Sequence, residues 1–128
     1  MARLNADAAP DLITANGGSR DVSVLLGLGT GSFGSQTRIT TADGLTGIGI
    51  ADMNNDTIAD IVSVSSLPLS AGGEIGILSG LGNGSFNPAI VRATTADPAI
   101  FKMADINGAG YSDVVLGHAR PAGEMTLL

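Results

Sequence analysis

With 128 residues and 44% apolar content, the chain can bury one core, and a single domain is expected. Twelve acidic residues against six basic ones give a net charge of −6, which excludes nucleic acid as a partner, because neutralising phosphates needs clustered Lys and Arg. The lack of cysteine excludes a disulfide framework and a thiolate zinc site, and no run of about eighteen apolar residues is present, so membrane insertion by a helix is not expected.

In chain order, Met1-Ala2-Arg3 leads straight into a polar segment without the apolar stretch of a signal peptide, so the chain reads either as cytoplasmic or as a mature or excised segment. A polar loop from Ala2 to Asp11 precedes the apolar pair Leu12-Ile13. Val22-Ser23-Val24-Leu25 has the part-alternating pattern of a half-buried strand. It is followed by the glycine turn Gly27-Leu28-Gly29-Thr30-Gly31-Ser32-Phe33. The next unit predicts four strands, near Gly47–Ala51, Asp60–Val64, Glu74–Leu78 and Ala89–Ala93, with a longer loop through Ser66-Leu67-Pro68-Leu69. A second glycine turn, Gly80-Leu81-Gly82-Asn83-Gly84-Ser85-Phe86, precedes a third unit that opens with the loop Ala104 to Asp113 and the apolar pair Val114-Val115. No window shows a convincing 3.6-residue period, so no helix is expected.

The repetition decides the architecture. The two glycine turns lie 53 residues apart, and the three loops ending at Asp11, Asp60 and Asp113 are spaced by 49 and 53. Four short strands per period of this size is what a propeller blade needs. The expected fold class is therefore all-β: tandem four-stranded antiparallel blades of a β-propeller, about two and a half in this chain. As one partial domain over 1–128, it divides into an incomplete first blade (1–46), a complete central blade (47–98) and an incomplete third blade (99–128). Gly47, Gly49 and Ala51 suit an innermost strand, where backbones converge.

The Asp-x-Asn-x-Asp-x-x-x-Asp loop at Asp52 to Asp60, the apolar strand after it and the Gly-x-Gly-x-Gly-Ser-Phe turns resemble the FG-GAP/VCBS repeats, the blade units of integrin-α-type β-propellers. The resemblance implies a four-stranded antiparallel blade with calcium in the loop joining its first two strands. It also implies an extracellular or cell-surface location and a role in adhesion or recognition. Arg3 at the first ligand position of the first loop and Ala109 at the third ligand position of the last loop depart from the pattern.

Calcium takes six to eight oxygens at about 2.3–2.6 Å, so its donors must converge from a short, sharply turned segment. The best candidate site is Asp52, Asn54, Asp56 and Asp60, with the backbone carbonyl of Ile58 at the seventh position. A weaker site is Asp105, Asn107, Tyr111 and Asp113, and a doubtful one is Asn5, Asp7 and Asp11. The twelfth position of the central loop is Ser63, not Glu, and no helical pattern flanks it, so a β-hairpin loop is favoured over an EF-hand. The alternative for all three loops is an Asx-rich turn whose side chains cap backbone N–H groups without metal. Three close carboxylates would repel, and a bound divalent cation removes that cost.

His118, the sole histidine, has no Ser or carboxylate partner at a recognisable spacing, and the glycine strings lack the lysine and following helix of a phosphate loop. Phe33 and Phe86 are expected to return the chain to the core between blades. The chain is therefore expected to be not an enzyme but a structural or recognition module. A glycan-binding propeller is the alternative, and a protein or glycan ligand remains open. Incomplete blades at both ends would expose strand edges and apolar faces, so a homo-oligomer or a larger assembly is expected.

Overall fold

The computed structural model describes residues 2–67, 72–94, 97–118 and 125–127. These form ten β-strands and, among the described residues, no helix: β1 (Leu12–Asn16), β2 (Asp21–Leu25), β3 (Thr37–Thr40), β4 (Leu45–Ala51), β5 (Asp60–Leu67), β6 (Gly72–Leu78), β7 (Ile90–Thr94), β8 (Pro98–Ala104), β9 (Asp113–His118) and β10 (Met125–Leu127). All pairings are antiparallel. They build three consecutive sheets: a first sheet β1-β2-β3, a central sheet β4-β5-β6-β7 and a last sheet β8-β9-β10. Each chain segment therefore pairs with its sequence neighbour, as the short turn-bounded strands demand.

The core lies between sheets. Along β5 successive side chains point to opposite faces, and Ile61 through Ser65 are all buried because both faces of the central sheet are covered. Ile61 joins Leu78 and Leu45 against Val22, Val24 and Leu4 on the side of the first sheet. Val62 and Val64 join Ile75 against Val114 and Leu116 of the last sheet, with Phe101 and Met103 filling in from β8. β4 packs beside both β1 and β8.

The small residues expected on an innermost strand have a concrete use. A Cβ at Gly47 would come within 2.6 Å of the Phe101 ring, and one at Gly49 within 2.5 Å of the Met103 methyl. The side chains of β8 occupy the space that these glycines leave.

The strands expected in the central unit all form. Ser66 and Leu67, read from the sequence as the start of a long loop, instead continue β5 and pair with Gly73 and Gly72. The ladder extends because Gly73 allows close approach; a Cβ there would lie 2.2 Å from the Ser65 carbonyl oxygen. Pro68 and Leu69 of that expected loop lie outside the described residues. Of the two phenylalanines expected to enter the core, Phe86 packs against the cluster between the first and central sheets, whereas Phe33 is 38% exposed.

Candidate metal-binding loops

The loop between β4 and β5 is folded around its own side-chain acceptors. Asp52, where β4 ends, accepts from the backbone N–H groups of Asn54 (3.3 Å), Asn55 (2.6 Å) and Asp56 (3.2 Å) through Oδ1, and from Thr57 (2.8 Å) through Oδ2. Asn54 Oδ1 accepts from the Asp56 N–H at 2.9 Å, and Asp56 Oδ1 from the Ile58 N–H at 2.8 Å. Asn54 Nδ2 donates to Asp56 Oδ2 at 2.9 Å. This ladder of Asx turns curls the backbone tightly enough that Asn55 and Thr57 both sit at positive φ, 62° and 69°. Asp52, Asn54 and Asp56 are thereby brought to one turn at the edge of the central sheet.

Asp60 is placed differently. It is fully buried, and its two oxygens accept from separate pieces of chain: Oδ2 from the Met53 N–H at 2.9 Å and Oδ1 from the Gly80 N–H at 2.8 Å. One carboxylate thus ties the loop to the glycine turn after β6. Asp11 repeats the arrangement in the first sheet, accepting from Leu4 (2.7 Å) and from Gly27 (2.9 Å). Asp113 accepts from Ile106 at 2.9 Å, the counterpart of the Met53 bond. The sequence spacing placed these aspartates at a ninth ligand position; it carried no sign that their oxygens face backbone donors as far as twenty residues downstream.

The other two loops are partial copies. In the last loop, Asp105 accepts from Gly108 (2.7 Å), Ala109 (3.1 Å) and Gly110 (2.9 Å), and Asn107 accepts from Ala109 (2.8 Å). Gly108 and Gly110 hold the positive φ that Asn55 and Thr57 hold in the central loop. Ala109 offers no side-chain oxygen, and Tyr111 is exposed. In the first loop, Asp7 accepts from the Ala9 N–H (2.9 Å) and from Asn5 Nδ2 (2.8 Å), while Asn5 Oδ1 accepts from the Asp7 N–H (3.2 Å). Arg3 stands where a gathering carboxylate would be, and no residue of that loop has positive φ. The first loop docks instead: the Leu4 carbonyl accepts from Gly84 N–H at 2.9 Å, and Asn5 bridges to Asn83. A cleft of about 150 Å³ between the first and central loops is lined by Arg3, Asn5, Ile58 and Gly82 among others.

The donor chemistry of the central turn fits a hard cation. Partial burial pushes the Asp52 carboxyl up, but the backbone N–H groups of Thr57, Asn55, Asn54 and Asp56 outweigh it and hold the pKa below the ordinary 3.8, so the group is ionised at neutral pH. Asp56 and the Asn54 amide oxygen stand beside it as further oxygen donors. The four-membered side-chain set read from the sequence is not assembled, since Asp60 faces the sheet interior. Among the described residues no three His, Cys, Asp or Glu groups converge.

Residues 3–63 match the family model of the FG-GAP-like repeat. The chain carries an FG-GAP-like repeat. The matched stretch runs from the first loop through the first sheet to the centre of β5, and so contains the first and central Asp-bearing loops. Beyond it, the second glycine turn and the Asp105 loop repeat the chain's own first glycine turn and central loop. No curated protein and no solved structure matches the chain at a significant level.

Proposed function

We propose that this chain is a calcium-binding FG-GAP-type β-propeller module with a structural or recognition role at a cell surface or outside the cell, and not a catalyst. Each of the three sheets represents one blade, whole or partial. The central loop holds the ion through Asp52, Asn54, Asp56 and the Ile58 carbonyl, while Asp60 anchors that loop to its blade. Bound calcium supplies a divalent counter-charge to two neighbouring carboxylates, Asp52 and Asp56. The observation that carries the reading is the Asp52 carboxylate, which gathers four backbone N–H groups, is held ionised and lies beside two further oxygen-bearing side chains. The last loop, lacking a side-chain oxygen at Ala109, binds more weakly, and the Arg3 loop does not bind.

Calorimetric titration tests this reading. Calcium should bind the chain with a heat that is lost in Asp52→Ala and kept in Asp7→Ala, and calcium should raise the melting temperature of the wild type. An unchanged melting temperature on chelation, together with no heat on adding calcium, would falsify it.

A further inference from the structure

We propose that Asn107 is a self-modification site, where the Gly108 nitrogen displaces the side-chain amide and leaves the Asp105 loop with an added carboxylate. The reaction needs only this chain and water. The Gly108 nitrogen gives its proton to solvent base and bonds to the Asn107 Cγ; the bond from Cγ to Nδ2 breaks, and Nδ2 takes a proton from water and departs as ammonia. Water then opens the cyclic succinimide. Opening at one carbonyl leaves aspartate, and opening at the other leaves isoaspartate, whose backbone runs through the side-chain carbon.

Asn stands before Gly at three places, Asn16, Asn83 and Asn107. A following glycine favours the attack because no Cβ shields its nitrogen. The fold treats the three pairs differently. Asn16 is part-buried, and its Nδ2 donates to Asp21 Oδ1 and to Ser23 Oγ, both at 2.6 Å, which pins the amide. A Cβ on Gly17 would lie 2.8 Å from the Leu45 carbonyl oxygen. Asn83 is exposed, but Gly84 is buried, its N–H donates to the Leu4 carbonyl at 2.9 Å, and a Cβ there would meet Leu26 at 2.7 Å. Attack at either place requires local opening first.

Asn107 and Gly108 are both exposed, and a Cβ on Gly108 would meet nothing within 4 Å. The Gly108 N–H donates at 2.7 Å to Asp105, but that carboxylate is itself exposed, so water competes for both partners. Asn107 Oδ1 accepts from the Ala109 N–H at 2.8 Å, and Asn83 Oδ1 makes the same bond to Ser85 at 2.9 Å. The difference between these two pairs therefore lies at the glycine. Conversion to aspartate places a second carboxylate beside Asp105, in the loop whose Ala109 offers no side-chain oxygen. That consequence for the ion, unlike the modification, rests on the calcium reading of the loops.

Peptide mapping by mass spectrometry tests this, on the 128-residue chain held in mildly alkaline buffer with and without urea. In buffer Asn107 should lose its amide while Asn16 and Asn83 keep theirs, and isoaspartate should appear at 107. In urea all three amides should be lost together, because folding is what separates them. Asn107→Gln, whose longer side chain cannot close the same ring, should stop the reaction in buffer. Loss at Asn16 or Asn83 at the pace of Asn107, or an Asn107 that persists in buffer while it converts in urea, would overturn the proposal. Calorimetry keeps the two readings apart: in an Asp52→Ala background, Asn107→Asp should restore a calcium heat. Selective amide loss without that heat counts against calcium in the last loop and leaves the modification standing, and heat without amide loss does the reverse.

Discussion

A buried carboxylate that holds two backbone donors cannot be removed cheaply. Asp60→Ala leaves the part-buried N–H of Met53 and the buried N–H of Gly80 without their acceptor, and each unsatisfied group costs ~1–3 kcal/mol. Urea unfolding should therefore show a loss of about 3 kcal/mol for Asp60→Ala, a similar loss for Asp11→Ala, and a smaller one for Asp113→Ala, whose partner Ile106 lies in an exposed loop. Asp21 makes a second, pH-dependent prediction. Its hydrogen bonds from Arg38 first and Asn16 next hold its pKa below 3.8 in the folded state, against the opposing effect of burial. A depressed folded pKa means stability that is complete above 3.8 and lost as pH falls through the lower folded value. Arg38→Met should weaken stability at neutral pH and flatten its decline as the pH falls below 3.8, as read from melting temperatures. None of these partners was legible in the sequence. A ninth-position aspartate reads the same whether it faces an ion or a distant N–H, and only the fold brings Gly27 and Gly80 within reach.

Strands and turns were more readable than side-chain directions. Apolar alternation and glycine punctuation located β4 to β7, because strand formation here depends on local pattern and on pairing with the next segment. The extra pairing of Ser66 and Leu67 was hidden because it depends on Gly72 and Gly73 lying opposite, which no local pattern announces. The glycines of β4 give this scale its own test. Gly47→Ala drives a methyl into the Phe101 ring and should cost ~1–3 kcal/mol by overpacking, with much of the loss recovered in the Gly47→Ala, Phe101→Leu double variant. In the central loop, Thr57 is a β-branched residue at a φ of 69°, where the last loop uses Gly110. Thr57→Gly should stabilise the protein by about 0.5–1 kcal/mol, the relief of left-handed strain exceeding the entropy that glycine adds to the unfolded chain. Thermal unfolding without calcium separates this gain from any effect on the ion.

Across the molecule, three sheets share two apolar layers, and among the described residues the central sheet is covered on both faces. Equivalent positions of the repeat differ in burial. Phe86 is packed where Phe33 is open, and Val62 is buried where Val115 is only half-buried. The acidic balance of the chain, −6 overall, is concentrated partly in loops that present carboxylates at sheet ends, so a divalent cation is the counter-charge that suits it. The central claim, that calcium is held by the Asp52 turn, is tested most directly by a calcium titration followed amide by amide in NMR spectra. Calcium held there predicts shifts concentrated from Asn54 to Ile58, smaller ones from Asn107 to Tyr111, none from Asn5 to Ala9, and loss of the first group in Asp52→Ala. Amides between Asn54 and Ile58 that do not move, or that move equally in the Asp52→Ala variant, would contradict it.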